Sequence, residues 1–200
     1  MDEIAWGSIA TIAAGSSAVA AVVSFGLGWI KDAHQKNQQL THEAQFDAIH
    51  LIAHLDLLAL NCAKSYWNFV DAMSEYKAAS WGNPNYPKCS KPEYKIERSD
   101  LKRIDQATAA QIAWLDNEYI LGREMILIKM DFTADPPDTQ EELANLVGHY
   151  GFRAMELANG LRKMHKLQTR DIAFKVKNRL VDETLIEAST EFRKFLSSMN

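Results

Sequence analysis

Cysteines are scarce in this chain, and the common signature motifs of enzymes are missing. Its 200 residues include two cysteines, Cys62 and Cys89, which fit neither a disulfide framework nor a metal-binding motif. No Walker loop, dinucleotide-binding glycine pattern or nucleophile motif is present. The net charge of -4 provides no global basic field that would draw the protein to nucleic acid or anionic lipid. These absences argue against a disulfide-stapled domain and against an enzyme, and we expect no cofactor.

Charge is absent from residues 4–30. This run of 27 residues ends at Ile30 and is followed by Lys31 and Asp32. About 20 apolar residues are enough to cross a bilayer. Trp6 and Trp29 lie near its two ends, roughly 35 Å apart along a helix, where the aromatic belts of a membrane would be. The sequence therefore predicts one transmembrane helix over residues 4–30.

The charges that flank this segment predict its orientation. Two acidic residues precede it, whereas Lys31 and Lys36 follow it, so the positive-inside rule places the N-terminus outside and the rest of the chain in the cytoplasm. We expect a single-pass membrane protein. A cleaved signal peptide is one alternative, but it would need a basic start. A buried core helix is the other, because the segment is rich in Ala, Gly and Ser.

Small side chains occupy one side of the predicted transmembrane helix, next to a face of bulky aliphatic residues. Small faces let helices approach closely in lipid, and the chain offers no second apolar span as a partner. The sequence therefore predicts a homo-oligomer whose first helices line a narrow pore; a monomeric anchor is the alternative. The residues predicted to face other copies or the pore are Thr11, Ala13, Ser17, Ala20, Ser24 and Gly28.

The remaining residues, 31–200, predict a cytoplasmic helical domain. No Gly or Pro occurs between Ile30 and Gly82, so the first helix is expected to continue to about residue 79, with a polar stalk at 31–45. Prolines predict a long loop at 80–98. Further helices are expected from about 99 to 130, from 138 to about 167 and from 169 to 197, and no strand is expected. The fold class is thus all-α, a transmembrane helix continuing into a bundle of about four helices.

Two histidines form the best-spaced polar group of the body. His50 and His54 lie four residues apart, and Asp47 and Glu43 continue the same helix face. This spacing occurs in helical metal sites. A satisfied polar network in the core, or a polar layer between subunits, is the alternative, and we predict no metal beyond this weak candidate.

Basic residues crowd the junction of the last two predicted helices. Cations of this kind bind phosphates, so a short nucleic acid or a nucleotide is the expected ligand; a solvated surface balanced by acids is the alternative. A second basic cluster, with interleaved aromatic residues, lies between Trp81 and Arg103. The predicted ligand-binding residues are Arg162, Lys163, Lys166, Arg170, Lys175, Lys177 and Arg179.

A third polar group, His149, Tyr150 and Arg153, lies on the helix that precedes this junction. Helical ribonucleases of the HEPN type carry an Arg with a His four to six residues later. Arg153 has no His at that distance, and Arg162 precedes His165 by only three residues. The nuclease pattern is therefore not met.

One apolar helix followed by a helical cytoplasmic body, with small-residue packing faces, resembles the small membrane effectors of bacterial anti-phage defence. These include CRISPR-associated accessory membrane proteins and the HalA-type channels of the Hailong system. The resemblance covers the architecture of the whole chain and involves no diagnostic motif, so no residue role is carried over. It implies an oligomeric pore whose cytoplasmic domain senses a nucleic-acid or nucleotide signal. A membrane-anchored scaffold without a pore is the runner-up, and an enzyme using His50 and His54 comes third.

Overall fold

The computed structural model describes most of the chain as helix. Side chains are described for residue 39 and from residue 42 onward, apart from 98, 175 and 176. These statements hold within the described residues, which are 6–79, 86–130, 135–168, 175–176 and 179–198.

Four α-helices dominate the described residues, and the predicted all-α class is confirmed. A 3-10 helix, Arg98–Leu101, precedes the second of them, and a pairing of two-residue strands precedes the last. In chain order the elements are α1 Trp6–Ala78, α2 Gln106–Met130, α3 Pro136–Met164, β1 Lys175–Val176, β2 Arg179–Leu180 and α4 Val181–Ser197.

The chain divides into two compact units, residues 1–44 and 45–200. The second unit has its own hydrophobic core, to which α1 contributes from Ala48 onward. Removing these side chains from water is the main favourable term that holds the four helices of this unit together. We call the second unit the helical body. Its largest fully buried side chains include Leu51, Leu55, Ile112, Leu115, Ile126, Leu146, Tyr150, Leu161 and Leu185.

By length and composition, one stretch of the described residues, His42–Ala78, could cross a membrane. Leu51, Leu55 and Cys62 in this stretch are fully buried in the core of the helical body, which accounts for its apolar character. The transmembrane helix predicted from the sequence is a different segment. The backbone from Trp6 to Ile30 is helical, and the side chains of residues 4–30 lie outside the described residues.

Helix α2 begins later than the sequence predicted. Asp100 closes a capping box with Glu97, and this box begins a separate 3-10 helix, Arg98–Leu101. The carboxylate of Asp105 then accepts a hydrogen bond from the backbone N–H of Thr108, at 3.0 Å. A side-chain acceptor at this position satisfies a free N–H of the first turn, so the long helix starts at Gln106 and not near residue 99.

Helix α3 ends in a turn in which a lysine, Lys166, occupies the left-handed position where glycine is usual. Lys166 has a φ of 53°, and the N–H of Leu167 donates to the carbonyl of Arg162 at 2.9 Å. This is the Schellman arrangement that closes many helices. It stops α3 at Met164, three residues before the predicted end.

The last helix is shorter than predicted. The expected start near residue 169 is wrong, because α4 begins at Val181 and is preceded by an antiparallel pairing of Lys175 with Leu180 and of Val176 with Arg179. The prediction of no strand is corrected at these four positions. Alternation of apolar and polar residues before Asn178, a residue favoured in hairpin turns, is the sequence signal for this pairing.

Candidate functional site

The predicted pore-facing residues belong to a helical segment whose side chains are not described. From Trp6 onward the backbone of this segment is α-helical, as the prediction requires. Their orientation toward other copies stays a prediction. The residues concerned are Thr11, Ala13, Ser17, Ala20, Ser24 and Gly28.

The histidine pair lies on the surface of α1. The ring centroids of His50 and His54 are 4.5 Å apart, and both side chains are exposed. Asp47 accepts a hydrogen bond from Arg103 at 3.0 Å. Within the described part of the chain, no three His, Cys, Asp or Glu residues converge as metal ligands would. Because the side chains of His50 and His54 are exposed to solvent, the interpretation of this group as a hydrogen-bonded network in the core is wrong.

The best-defined residue of the predicted basic cluster, Arg162, lies in the interior. It is 8% exposed, and its guanidinium group forms an ion pair with the carboxylate of Asp56 on α1. Its Nη1 also donates to Asn159 Oδ1 at 3.2 Å. A buried guanidinium that binds a carboxylate of its own chain joins α3 to α1 and is not open to a phosphate.

The remaining residues of this cluster divide into three groups. Lys163 and Lys166 are exposed around the turn that ends α3. Arg179 forms an ion pair with Asp71 of α1, with Nη2 at 2.5 Å from Oδ1. The side chains of Arg170, Lys175 and Lys177 lie outside the described residues. Among the residues of this cluster whose side chains are described, Lys163 and Lys166 are therefore the ones accessible to an anionic ligand.

The second basic cluster fastens a loop to the bundle. The Nζ of Lys91 is 2.7 Å from Asp116 of α2 and about 5 Å from the ring centroids of Tyr119 and Tyr150. The Tyr150 hydroxyl donates to the same carboxylate, and burial, followed by this carboxylate, raises the pKa of Tyr150. The ammonium group of Lys91, which contacts a carboxylate and two aromatic rings, holds the loop against α2 and α3.

The third polar group lines a groove between α2, α3 and α4, with a volume of about 270 Å³. His149 is half-buried there, with its Nδ1 2.9 Å from Ser189 Oγ. Burial, followed by the charges of Arg193 and Arg153, lowers the pKa of His149 to about 4. The imidazole is therefore neutral at pH 7. The apolar lining of the groove comprises Leu115, Tyr119, Leu121, Met125, Leu146, Phe192 and Leu196.

The arginine at this groove is already neutralised. Arg153 Nε is 3.5 Å from Glu118 on α2, and its Nη1 is 3.1 Å from Glu156 on α3. The groove is thus an apolar depression with a balanced polar edge. It lacks the uncompensated charge that an ionic substrate would need.

Acid is expected to destabilise the helical body through His149. Its pKa is lower in the folded chain than in the unfolded chain, so unfolding takes up a proton below the unfolded value of 6.5, and stability falls as the pH drops toward 4. Between pH 7 and pH 5 we expect a loss of about 1–2 kcal/mol after allowing for partial exposure. Urea unfolding of the full chain in detergent would measure it.

The His149→Gln variant is the control for this pH dependence. A glutamine can still bond with Ser189 but does not titrate, so the loss of stability between pH 7 and pH 5 should shrink by about 1–2 kcal/mol. An equal loss in both proteins would show that the acid sensitivity comes from other groups.

A row of exposed apolar side chains runs along the outer face of α2, and sequence reasoning missed it. Trp114, Leu121 and Ile128 are 54%, 55% and 67% exposed, and Ile120 and Met125 are 52% and 41% exposed. We call these five residues the α2 stripe. Their spacing of seven residues between Trp114, Leu121 and Ile128 is the signal that indicates one helix face.

Comparison with known proteins gives no relative for this chain: no family model, curated protein or solved structure matches it.

Proposed function

We propose that the protein is a homo-oligomeric, pore-forming protein of a bacterial inner membrane, with the N-terminus outside and the helical body in the cytoplasm. The observation that carries this proposal is the uncharged run at residues 4–30, which is helical from Trp6 onward. A helix satisfies its own backbone hydrogen bonds, as a segment in hydrocarbon must.

The core of the helical body supports a membrane location for this segment. From residue 42 onward, where side chains are described continuously to residue 79, the first buried residue is Ala48. The buried residues come from all four helices and include whole side chains such as Leu51 of α1 and Leu185 of α4. Residues 4–30 are separated from this core by a polar stretch at 31–45, so lipid is the environment that we propose for them.

The pore is proposed from the composition of the first helix. Ser17, Ser24 and Thr11 place hydroxyl groups on the sides rich in small residues. In an assembly of several copies, bulky aliphatic residues face lipid while hydroxyls face a narrow aqueous path. A membrane-anchored scaffold is the competing proposal, and it requires no conduction.

Gating is proposed to act through the helical body. A ligand shifts the opening equilibrium only if it binds the open and closed states with different affinity. The exposed Lys163 and Lys166 suit an anionic signal such as a nucleotide or a short nucleic acid. An effector of anti-phage defence would use such a signal.

Conductance of the purified full-length protein in planar bilayers tests the pore. We expect single-channel currents from the wild-type chain and at least a tenfold smaller conductance for Ser17→Leu, because a larger apolar side chain in a narrow pore excludes water. Val19→Leu is the matched control. The sequence predicts Val19 on the bulky, lipid-facing side of the helix, where the change to Leu keeps an apolar side chain. Lack of current from wild-type protein, with and without nucleotides or oligonucleotides, would favour the scaffold.

A further inference from the structure

We infer that the α2 stripe is the surface through which the helical bodies of two copies of this chain associate, with α2 packed against α2. This inference rests on the homo-oligomer of the proposed function and names where the cytoplasmic contact lies. Four observations carry it: the area of the stripe, its place on α2 away from the buried face, its spacing and the pairing of the charges on α2.

The exposed area is at the upper end of what a monomer leaves open, where the largest apolar patch is typically about 300–600 Å². Each of the five side chains exposes between 41% and 67% of its surface, roughly 500 Å² together, which lies in the upper half of that range. A stable interface buries about 800 Å² on each partner. The stripe therefore supplies more than half of the area that each of two copies needs, and the residues beside it would supply the rest.

The inner face of α2 is apolar as well. Ile112, Leu115, Tyr119 and Ile126 are buried against the bundle, while the stripe is exposed, with Leu121 and Met125 at the edge where α2 borders the groove. A surface helix normally carries polar residues on the face that it turns to solvent. Arg123 and Glu124 of α2 are exposed, yet the stripe places large apolar side chains on the uncovered side as well, and a partner helix would remove these from water.

The spacing of the stripe fits a helix–helix seam. Trp114, Leu121 and Ile128 recur every seven residues, and Ala113, Ile120 and Leu127 precede them at the same interval. Apolar residues at a heptad interval keep facing a partner helix along its length. No charged residue occupies either column, and Asn117 and Glu124 lie between the two columns on the helix surface.

The charged residues of α2 have contacts within the chain, so a partner of opposite charge is not required for them. Lys91 and Tyr150 bind Asp116, and Arg153 lies at 3.5 Å from Glu118. Each of the remaining charged residues also has a local contact, namely Arg123 with Glu124 at 2.9 Å and Lys129 with Ser198 at 2.8 Å. An apolar face of the same kind, on a second copy, is the partner that such a surface fits.

Cysteine cross-linking in full-length protein, reconstituted in lipid vesicles, tests this contact. Leu121→Cys is expected to form a covalent dimer on mild oxidation, because position 121 at the middle of the stripe faces itself whether the two helices run parallel or antiparallel. Leu57→Cys on α1 is the matched control, since Leu57 is 54% exposed and Leu121 is 55% exposed. Dimer yield with Leu121→Cys is expected to exceed that of the control by at least fivefold.

A second variant separates loss of contact from loss of folding. Ile128→Glu is expected to weaken association of the full chain at least tenfold in dilution experiments, while leaving the circular dichroism spectrum unchanged because Ile128 is 67% exposed. Ile186→Glu on α4, where Ile186 is 49% exposed, is expected to associate as the wild type does.

The outcomes distinguish this inference from the proposed pore. Equal cross-linking of Leu121→Cys and Leu57→Cys, or unchanged association of Ile128→Glu, would overturn the α2 contact even if the protein conducts. Selective cross-linking at position 121 in a protein that does not conduct would uphold the α2 contact and reject the pore.

Discussion

Gly148→Ala is expected to lower the free energy of unfolding of the helical body by about 2–3 kcal/mol. A Cβ atom at Gly148 would lie 2.3 Å from the Cβ of Ala188 on α4. Ala188 is fully buried, and its methyl group cannot rotate away, so the two helices have to separate. The strain exceeds the gain of about 1 kcal/mol that Ala normally brings to a helix. Thermal unfolding of the full chain in detergent should shift down by about 4–8 °C.

Two comparisons isolate the close approach of α3 and α4. Gly160→Ala is the matched control in the same helix, because a Cβ there meets nothing within 4 Å, and we expect it to stabilise the protein by about 0.5–1 kcal/mol. The double variant Gly148→Ala with Ala188→Gly returns the space and should recover most of the loss. A Gly148→Ala protein as stable as Gly160→Ala would show that the helices are not in contact there.

Breaking the ion pair between Asp56 and Arg162 is expected to cost about 3 kcal/mol, since removal of one partner leaves a buried charge uncompensated. The two side chains are 20% and 10% exposed, so water can replace little of the lost interaction. Asp56→Leu and Arg162→Met should each show this loss in urea unfolding. The double variant should recover more than half of it, because a pair of apolar side chains can pack where an ion pair was.

Lys163→Met is the control for the ion pair. Lys163 is exposed and adjacent to Arg162 in sequence, so its loss should change stability by less than about 0.5 kcal/mol. If Arg162→Met were as mild as Lys163→Met, Arg162 would not hold α3 to α1. The comparison also matters for ligand binding, since a binding defect of Arg162→Met has to be corrected for unfolding, whereas one of Lys163→Met does not.

The proposed assembly has two contacts between copies, one in the first helix and one in the α2 stripe. In lipid, helices associate through small residues that allow close approach. In water, apolar area removed from solvent drives association. Because the two contacts depend on different physical terms, Ser17→Leu and Ile128→Glu test them independently.

Polar motifs were harder to interpret from the sequence than helices. Arg162 and Lys163 look equivalent in a basic run, yet one lies beneath the surface opposite Asp56 and the other is exposed. Asp56 is 106 residues away from Arg162 in the chain, and no local pattern indicates such a pair. Lys91 presents the same difficulty, because its partner Asp116 belongs to another helix. Basic residues in a sequence therefore indicate a ligand surface only after their carboxylate partners are known.

The interpretation of His50 and His54 as part of a core network was wrong for a related reason. His50 and His54 are correctly placed on one face of α1, but which face the bundle covers depends on where α3 and α4 pack. Leu51, Leu55 and Leu58 are buried on the covered side, which leaves the histidines in solvent.

Local patterns of the sequence indicated four helices, because periodicity, prolines and capping residues act within a few positions of the chain, but they misplaced the starts of α2 and α4. Composition alone indicated the uncharged segment at residues 4–30. Packing of distant residues brings Gly148 against Ala188, buries Arg162 and leaves one face of α2 uncovered. These are contacts between distant positions, and their energy depends on distance and burial, which local sequence does not encode.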